Sequence, residues 1–248
     1  MNTSQCQGLP NCEKTISNSP TNGASIKDTL PYRRTYSITG FGGITEASGS
    51  GITYQGSVGD PYGSNIIRVS AENSSDYKYV AEFKAASSAI WSVVIWNKIL
   101  PGGFLNGWYG HACKNFTLNS GTTQHVAFDE NFQGAWAAAP GYTIPTDNFG
   151  GYTSTWGEFD FGSAIYYSGW SGFDVSAITA QAANIQIQGM KICDTATETC
   201  SSISSDGAKF NNAYAAKDSN VGGIGGNLPA GQLRLAVVLG YEADDAMK

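Results

Sequence analysis

Apolar and polar residues alternate along several short stretches of the chain, which is the pattern of half-buried strands. In residues 78–84 and 125–128 every second side chain is apolar, and successive side chains of a strand point to opposite faces of a sheet. Residues 90–99 and 233–239 are more continuously apolar, so we expect central strands there that are covered on both faces. The pattern predicts a chain built mainly from strands.

Turns rich in glycine separate these stretches, and helical patterns are scarce. Only residues 208–216 and 174–183 could form short helices. Strands at short intervals with turn signals between them are typical of a sandwich of two sheets. We therefore predict an all-β fold, a β-sandwich with long Gly-rich loops and few short helices.

The apolar pattern also divides the chain. Residues 1–34 are rich in Ser, Thr, Asn and Pro and show no periodicity, as in a loosely held tail. Residues 35–241 carry the strand pattern, and we expect one domain there. Residues 242–248 form a short acidic tail.

One predicted strand combines a core face with a face that suits a ligand. In Trp156-Gly-Glu-Phe-Asp-Phe, Phe159 and Phe161 would face the core, while Trp156, Glu158 and Asp160 face the other way. Glu158 and Asp160 fit an acid–base pair for glycoside hydrolysis. They also fit two solvated strand carboxylates, and we favour this second interpretation.

Further aromatic and acidic residues extend this candidate surface. They lie beside glycines, in loops or at strand ends, where a ring can stack on a sugar or anchor a protein partner. The predicted binding residues are Trp156, Glu158, Asp160, Trp170, Asp174, Trp108 and Tyr109.

Composition excludes two classes of partner. Of the 248 residues, 14% are charged and the net charge is −6. The Lys and Arg residues are scattered, which argues against nucleic acid as a partner, because binding to phosphates requires clustered positive charge. No apolar run approaches the roughly 20 residues that a bilayer span needs, so we expect no membrane partner.

Metal and covalent catalysis both lack the residues they require. The chain has two histidines, His111 and His125, and their spacing gives no zinc site. No Gly-x-Ser-x-Gly elbow provides a serine nucleophile. The glycine-rich segment 222–226 has no phosphate-loop lysine, so it fits a turn or a close backbone approach better than a phosphate loop. We predict no metal, no cofactor and no catalytic residues.

The cysteines indicate disulfide bonds. Cys193 and Cys200 enclose a short polar loop that a disulfide would close. Cys6 and Cys12 form a second local pair, which leaves Cys113 unpaired. Alternatively, Cys113 pairs with Cys6 or Cys12.

Three N-glycosylation sequons, like the cysteines, indicate a secreted protein. They begin at Asn2, Asn73 and Asn115, and such sites matter only on the secretory route. Together with the disulfides they predict a secreted, extracellular glycoprotein. Met1 is followed at once by polar residues, so we expect a mature form with an added start methionine.

Several motifs together resemble one family of fungal proteins. They include Gly40-Phe-Gly-Gly, Trp96-Asn-Lys-Ile, Gly107-Trp-Tyr-Gly, Val126-Ala-Phe-Asp-Glu, Gln133-Gly-Ala-Trp, Trp156-Gly-Glu-Phe-Asp-Phe, Gly169-Trp-Ser-Gly-Phe-Asp-Val-Ser and Gln188-Gly-Met-Lys-Ile-Cys. This set looks like the fungal allergen family typified by the group-four allergen of Aspergillus. The resemblance implies a secreted fungal protein of a family with no established enzymatic activity.

A more distant similarity is to thaumatin-like proteins. It rests on Phe116-Thr-Leu-Asn-Ser-Gly before a strand, then Gln133-Gly-Ala-Trp, Gly157-Glu-Phe and Phe173-Asp-Val-Ser. The resemblance implies a β-sandwich with an acidic cleft, in which Glu158 and Asp174 match two acidic positions. A third acidic position is occupied by Ser171, which implies an incomplete cleft.

These observations favour recognition over turnover. We predict a non-catalytic effector- or allergen-type protein that binds an extracellular host protein such as an apoplastic protease. Inhibition of that host protein is the stronger form of this prediction. The alternative is a protein that binds wall polysaccharide such as β-glucan, and a glycosidase ranks third.

Overall fold

A computed structural model describes residues 36–164 and 169–243 of the chain. The described residues from Tyr36 onward belong to one compact unit. Within the described ranges the chain folds into two β-sheets with two short α-helices, α1 (Ala71–Ser74) and α2 (Ile178–Ala182). The predicted all-β fold is confirmed: the chain forms a β-sandwich-like structure.

The larger sheet has seven strands in the order β1-β5-β2-β13-β9-β10-β11. Their bounds are β1 Ile66–Val69, β2 Tyr79–Ala85, β5 Thr123–Phe128, β9 Met190–Asp194, β10 Cys200–Ile203, β11 Phe210–Asn211 and β13 Leu233–Leu239. Neighbours run antiparallel except β2 and β13, which are parallel.

The smaller sheet has six strands in the order β12-β8-β7-β6-β3-β4, all antiparallel. Their bounds are β3 Trp91–Asn97, β4 Lys114–Leu118, β6 Phe132–Pro140, β7 Trp156–Ser163, β8 Trp170–Ser176 and β12 Gly226–Leu228. In the pairing of β7 with β8, Glu158 lies opposite Asp174.

The main core contains side chains from both sheets. Phe161 stacks on Tyr79 from the larger sheet at 5.4 Å between ring centroids, and Trp136 meets Phe83 edge to face at 5.2 Å. Trp136 is fully buried. Full burial of a large apolar side chain contributes roughly 1.5–3 kcal/mol, so these cross-sheet aromatic contacts hold the two layers together.

The sequence pattern located most strands correctly. Residues 78–84 and 125–128 lie in β2 and β5, and β3 within 90–99 is buried on both faces. The prediction for 233–239 is wrong in one respect. In β13 buried and half-buried residues alternate strictly, because the outward side chains of this central strand are only partly covered.

The two predicted helices are largely wrong. Residues 208–216 contain β11, which pairs with β10, and Asn212 follows it with a positive φ of 49°. Residues 174–176 continue β8 because they pair with β7. Only α2 is helical within 174–183. Tertiary pairing has overridden local helix propensity at both places.

The predicted disulfide between Cys193 and Cys200 is present and links β9 to β10. Among the described cysteines, Cys113 has a free thiol. Cys6 and Cys12 lie outside the described residues. So do Asn2 and the predicted tail over 1–34, together with most of the tail over 242–248.

No helix within the described ranges is long and apolar enough to cross a bilayer.

Two glycines of neighbouring strands give a matched test of core packing. A Cβ at Gly157 would lie 2.4 Å from the ring of Trp136, whereas a Cβ at Gly172 meets its nearest atom at 3.7 Å. We expect Gly157→Ala to lower the free energy of unfolding by about 1–3 kcal/mol through overpacking. Denaturant unfolding should show almost no change for Gly172→Ala, and equal effects of the two substitutions would contradict this packing.

A carboxylate groove on the outer face of the smaller sheet

The candidate residues of β7 face as the alternation predicts. Phe159 and Phe161 are buried in the main core, and Trp156, Glu158 and Asp160 are half-buried on the opposite, outer face. The loops formed by residues 98–113 and 141–155 cover one end of this face. What remains open is a groove that crosses β6, β7 and β8.

The acidic part of the groove is a cleft of about 250 Å³. Its lining includes all three predicted carboxylates, Glu158, Asp160 and Asp174, together with Lys98 and Tyr214. Side chains directly opposite on antiparallel strands have Cβ atoms about 4.5–5.5 Å apart. The register of β7 and β8 therefore brings Glu158 and Asp174 side by side, and neither forms a salt bridge with another described residue.

Asp160 is held by a chain of hydrogen bonds that crosses three strands. Lys98 Nζ donates to Gln133 Oε1 at 3.0 Å, and Gln133 Nε2 donates to Asp160 Oδ2 at 3.1 Å. The lysine thus interacts with Asp160 through an amide. This arrangement fixes Asp160 at one side of the cleft.

The glycine-rich segment 222–226 covers one side of Asp174, which is half-buried. A Cβ at Gly225 would lie 2.7 Å from Cβ of Asp174 and 2.3 Å from the Phe173 carbonyl oxygen, so only glycine allows the loop to approach this closely. Asn212 Oδ1 and the Tyr214 hydroxyl accept hydrogen bonds from loop N–H groups. The predicted close backbone approach is therefore present, and it encloses Asp174.

One oxygen of Asp174 is unsatisfied. Its Oδ1 exposes less than 1 Å² and accepts no hydrogen bond from any described residue. Burying a carboxylate oxygen without a donor is costly. In its ionised form this carboxyl group therefore has no donor for that oxygen among the described residues.

Burial dominates the electrostatics of the cleft. It raises the pKa of Asp174 well above its ordinary value, and the neighbouring Glu158 raises it further. Burial also raises the pKa of Glu158, against the opposing effects of Ser176 and Lys98. For Asp160, burial raises the pKa to about 6. The pKa of Lys98 is lowered by burial, which its attraction to Glu158 and Asp160 only partly offsets.

Trp170 closes one end of the cleft. Its side chain is 41% exposed, and it lines the cleft with Gly172 and Asn227. Gly172 lies between Trp170 and Asp174 on the same face of β8 and opposite Asp160. Because Gly172 has no side chain, the space beside Asp160 stays open next to an accessible indole ring.

The other end of the groove is aromatic. A second space of about 300 Å³ shares Lys98, Gly134 and Glu158 with the acidic cleft and is lined further by Leu105, Trp108 and Trp156. The two spaces therefore adjoin on the outer face and together make up the groove. It runs from Trp170, past the carboxylates, to the aromatic end.

Trp156 and Trp108 are packed rather than free. Trp156 meets the rings of Trp96 and Trp108 at 5.1 and 5.5 Å, and its Nε1 donates to the Tyr152 carbonyl. Tyr109 stacks on Trp108 at 3.9 Å and is 36% exposed. Only parts of these rings are available to a ligand.

The expectation that Ser171 leaves a gap in the acidic wall is wrong. Ser171 is buried on the core face of β8, and its Oγ accepts a hydrogen bond from the Gly162 N–H. Residues 171 and 174 differ in parity, so their side chains point to opposite faces. Asp160, from the neighbouring strand, supplies the third carboxylate instead.

Sequence reasoning missed Lys98, Gln133, Tyr214 and Asn227. Lys98 and Gln133 lie within motifs that carry the family resemblance, which was the available signal. Their contact with Asp160 depends on the register between β3, β6 and β7, which no local pattern encodes. Tyr214 and Asn227 reach the cleft only through long-range pairing with β8.

The other candidate sites lie apart from the groove. Asn73 in α1 and Asn115 in β4 are both exposed, as a glycosylated asparagine must be. His125 faces Glu82 at 3.3 Å in the larger sheet. Within the described ranges, no group of three His, Cys, Asp or Glu side chains is arranged to hold a metal ion.

The raised pKa values give a testable dependence of stability on pH. A carboxyl group whose pKa is higher in the folded state loses stabilisation as pH rises from its unfolded pKa, about 4, through its folded pKa. For Asp160 this window ends near pH 6.

Asp174→Asn removes one ionisable member of the Glu158 pair, and we expect it to raise the free energy of unfolding at pH 7 by about 1 kcal/mol.

Denaturant unfolding between pH 4 and 7 measures this effect. The variant should lose less stability with rising pH than the original chain. Asp76→Asn, at an exposed carboxylate away from the groove, is the control and should leave the slope unchanged. A lower stability of Asp174→Asn at pH 7 would contradict the burial of two like charges.

Comparisons with known proteins place the chain in a family. The pattern of the Allergen Asp f 4-like domain matches residues 64–239. Allergen Asp f 4 from Aspergillus fumigatus is 54% identical over 212 residues, which is 86% of this chain and 66% of the relative. The chain thus spans about two thirds of that relative's length.

A structural comparison finds the protein elicitor MoHrip2 from Magnaporthe oryzae. It covers 66% of this chain and 99% of the elicitor, with a TM-score of 0.40 and 12% identity. The sequence comparisons decide the family: this chain belongs to the Allergen Asp f 4-like family.

Proposed function

We propose that this chain is a secreted, non-catalytic recognition protein that binds an oligosaccharide in the groove on the outer face of the smaller sheet. One observation carries the proposal: the groove joins three carboxylates to aromatic rings along a single concave path. Ligand sites are typically concave, with a few polar groups that fix the orientation of the ligand. The groove therefore favours glycan over the protein partner that the sequence suggested first.

The groups in the groove match the chemistry of a sugar. Carboxylate oxygens of Asp160, Glu158 and Asp174 accept hydrogen bonds from hydroxyl groups, and such bonds to ionised acceptors are the stronger ones. The exposed ring of Trp170 offers an apolar surface to the C–H face of a pyranose. At about 30 Å³ per water, the acidic cleft of about 250 Å³ holds on the order of eight waters, which suffices for a sugar ring.

Family membership supports a role outside the cell and without catalysis. The 54% identical relative bears the name of an allergen, and a disulfide links Cys193 to Cys200, as is common in extracellular proteins. We extend this to secretion and to glycosylation at Asn73 and Asn115. The whole relative is longer than this chain, so any partner of the relative enters here only as part of the proposal.

A protein partner, such as a host protease, is the second candidate function. It is favoured by large apolar side chains that the loops over the smaller sheet leave in solvent: Phe104 is 66%, Tyr142 75% and Phe149 84% exposed. Exposed aromatic residues are enriched at protein interfaces. This surface is separate from the carboxylates, so the two functions can be tested separately.

Trp170→Ala tests the glycan proposal. We expect it to weaken binding of short oligosaccharides of β-glucan or chitin by about five- to thirtyfold, because loss of stacking removes on the order of 1–2 kcal/mol. Phe149→Ala, also at an exposed ring, is the matched control and should bind as the original chain does. Isothermal titration calorimetry measures both, and no binding of any oligosaccharide would refute the proposal.

The protein-partner candidate predicts the opposite response. Pull-downs from host extracellular fluid with Phe149→Ala should lose a partner that Trp170→Ala retains, because the interface would be the loops and not the cleft. Host protease activity, measured in the same fluid, should recover with Phe149→Ala. A partner set that is identical for both variants and the original chain would reject this candidate.

A further inference from the structure

We propose that the acidic cleft selects a sugar that carries a free amine, whose ammonium group binds between Glu158 and Asp174. This inference rests on the proposed glycan function and names the class of sugar. It follows from the charges in the cleft and from the environment of Asp174.

The cleft contains too few positive charges for its carboxylates. Three carboxyl groups and one ammonium, that of Lys98, line it among the described residues. The ammonium of Lys98 already donates to Gln133. Burial raises the pKa of Glu158 and Asp160, and the attraction of Lys98 partly offsets this rise. Asp174 receives no such help, and its phenolic neighbour Tyr214 supplies no charge. A second cation beside Asp174 would reduce the excess of negative charge in the cleft.

The carboxyl group of Asp174, which lines the cleft, favours the same ligand. Its enclosed Oδ1 accepts no hydrogen bond from the described residues, and the neighbouring Glu158 repels the charge of the group. An ammonium group has three N–H donors and one positive charge, so it can satisfy two carboxylates at once. A neutral hydroxyl offers one donor and leaves the like charges facing each other.

The shape of the cleft selects a sugar rather than a bare cation. Gly172 leaves a gap between Trp170 and Asp174, and the nearest atoms to a Cβ there are 3.7 and 3.8 Å away. A pyranose ring in this gap would contact Trp170 on one side and present a substituent to Asp174. Gly223, Ile224 and Asn227 form the facing wall.

Three oligosaccharides of equal length test the inference: a glucosamine oligomer, its N-acetylated counterpart and a β-1,3-glucan oligomer. Calorimetry at pH 6 should give at least tenfold tighter binding of the glucosamine oligomer, and titrations in two buffers should show that its binding releases protons from the carboxyl pair. Asp174→Asn should abolish the preference and the proton release. Asp129→Asn, at a half-buried carboxyl group outside the groove, should retain both.

Each other outcome overturns the inference in a distinguishable way. Equal binding of the amine and acetylated oligomers, with dependence on Trp170, would reject amine selection and leave the glycan function standing. Amine binding that survives Asp174→Asn would show only general attraction to a chain of net charge −6. Oligolysine of matched charge that binds equally well would reject the sugar. No binding of any oligomer would reject both proposals.

Discussion

Backbone pairing between β7 and β8 holds Glu158 opposite Asp174, and the properties of the groove depend on that pair. The strands cannot slip to separate the two carboxyl groups, because a shift of one residue would bring Phe159 and Phe173 out of the core. Both phenylalanines are buried among the aromatic side chains that join the sheets. The stability of the core thus maintains an unfavourable juxtaposition of like charges on the outer face.

Glycines make this arrangement possible at three levels. Gly157 leaves room for the ring of Trp136 beneath the pair, and Gly225 lets the covering loop lie against Asp174. Gly172 keeps the space above β8 open beside Trp170. The same residue type therefore serves the core, the burial of a carboxylate and the access of a ligand. The like charges of Glu158 and Asp174 lower the stability of the fold, and a costly arrangement that the structure nevertheless maintains is characteristic of a functional site.

Sequence patterns could predict the strands and the outward face of β7, because alternation depends only on neighbouring residues. They could also pair Cys193 with Cys200, since only six residues lie between them along the chain. They could not predict that Gln133 and Lys98 reach Asp160, which depends on strand register. They misassigned Ser171, because residues 171 and 174 differ in parity and their side chains point to opposite faces of β8. Trp156 looked like an exposed platform, but loops distant in sequence pack over it.

The titration of Glu158 and Asp174 is the most direct test that the two carboxyl groups interact as a pair. Carbon-13 NMR of the side-chain carboxyl carbons can follow each group across pH in the intact chain. We expect two coupled transitions, with the transition assigned mainly to Asp174 well above its ordinary pKa of about 4, and a shift to lower pH when a glucosamine oligomer binds. Independent titration of both groups near 4 would contradict a buried carboxylate pair.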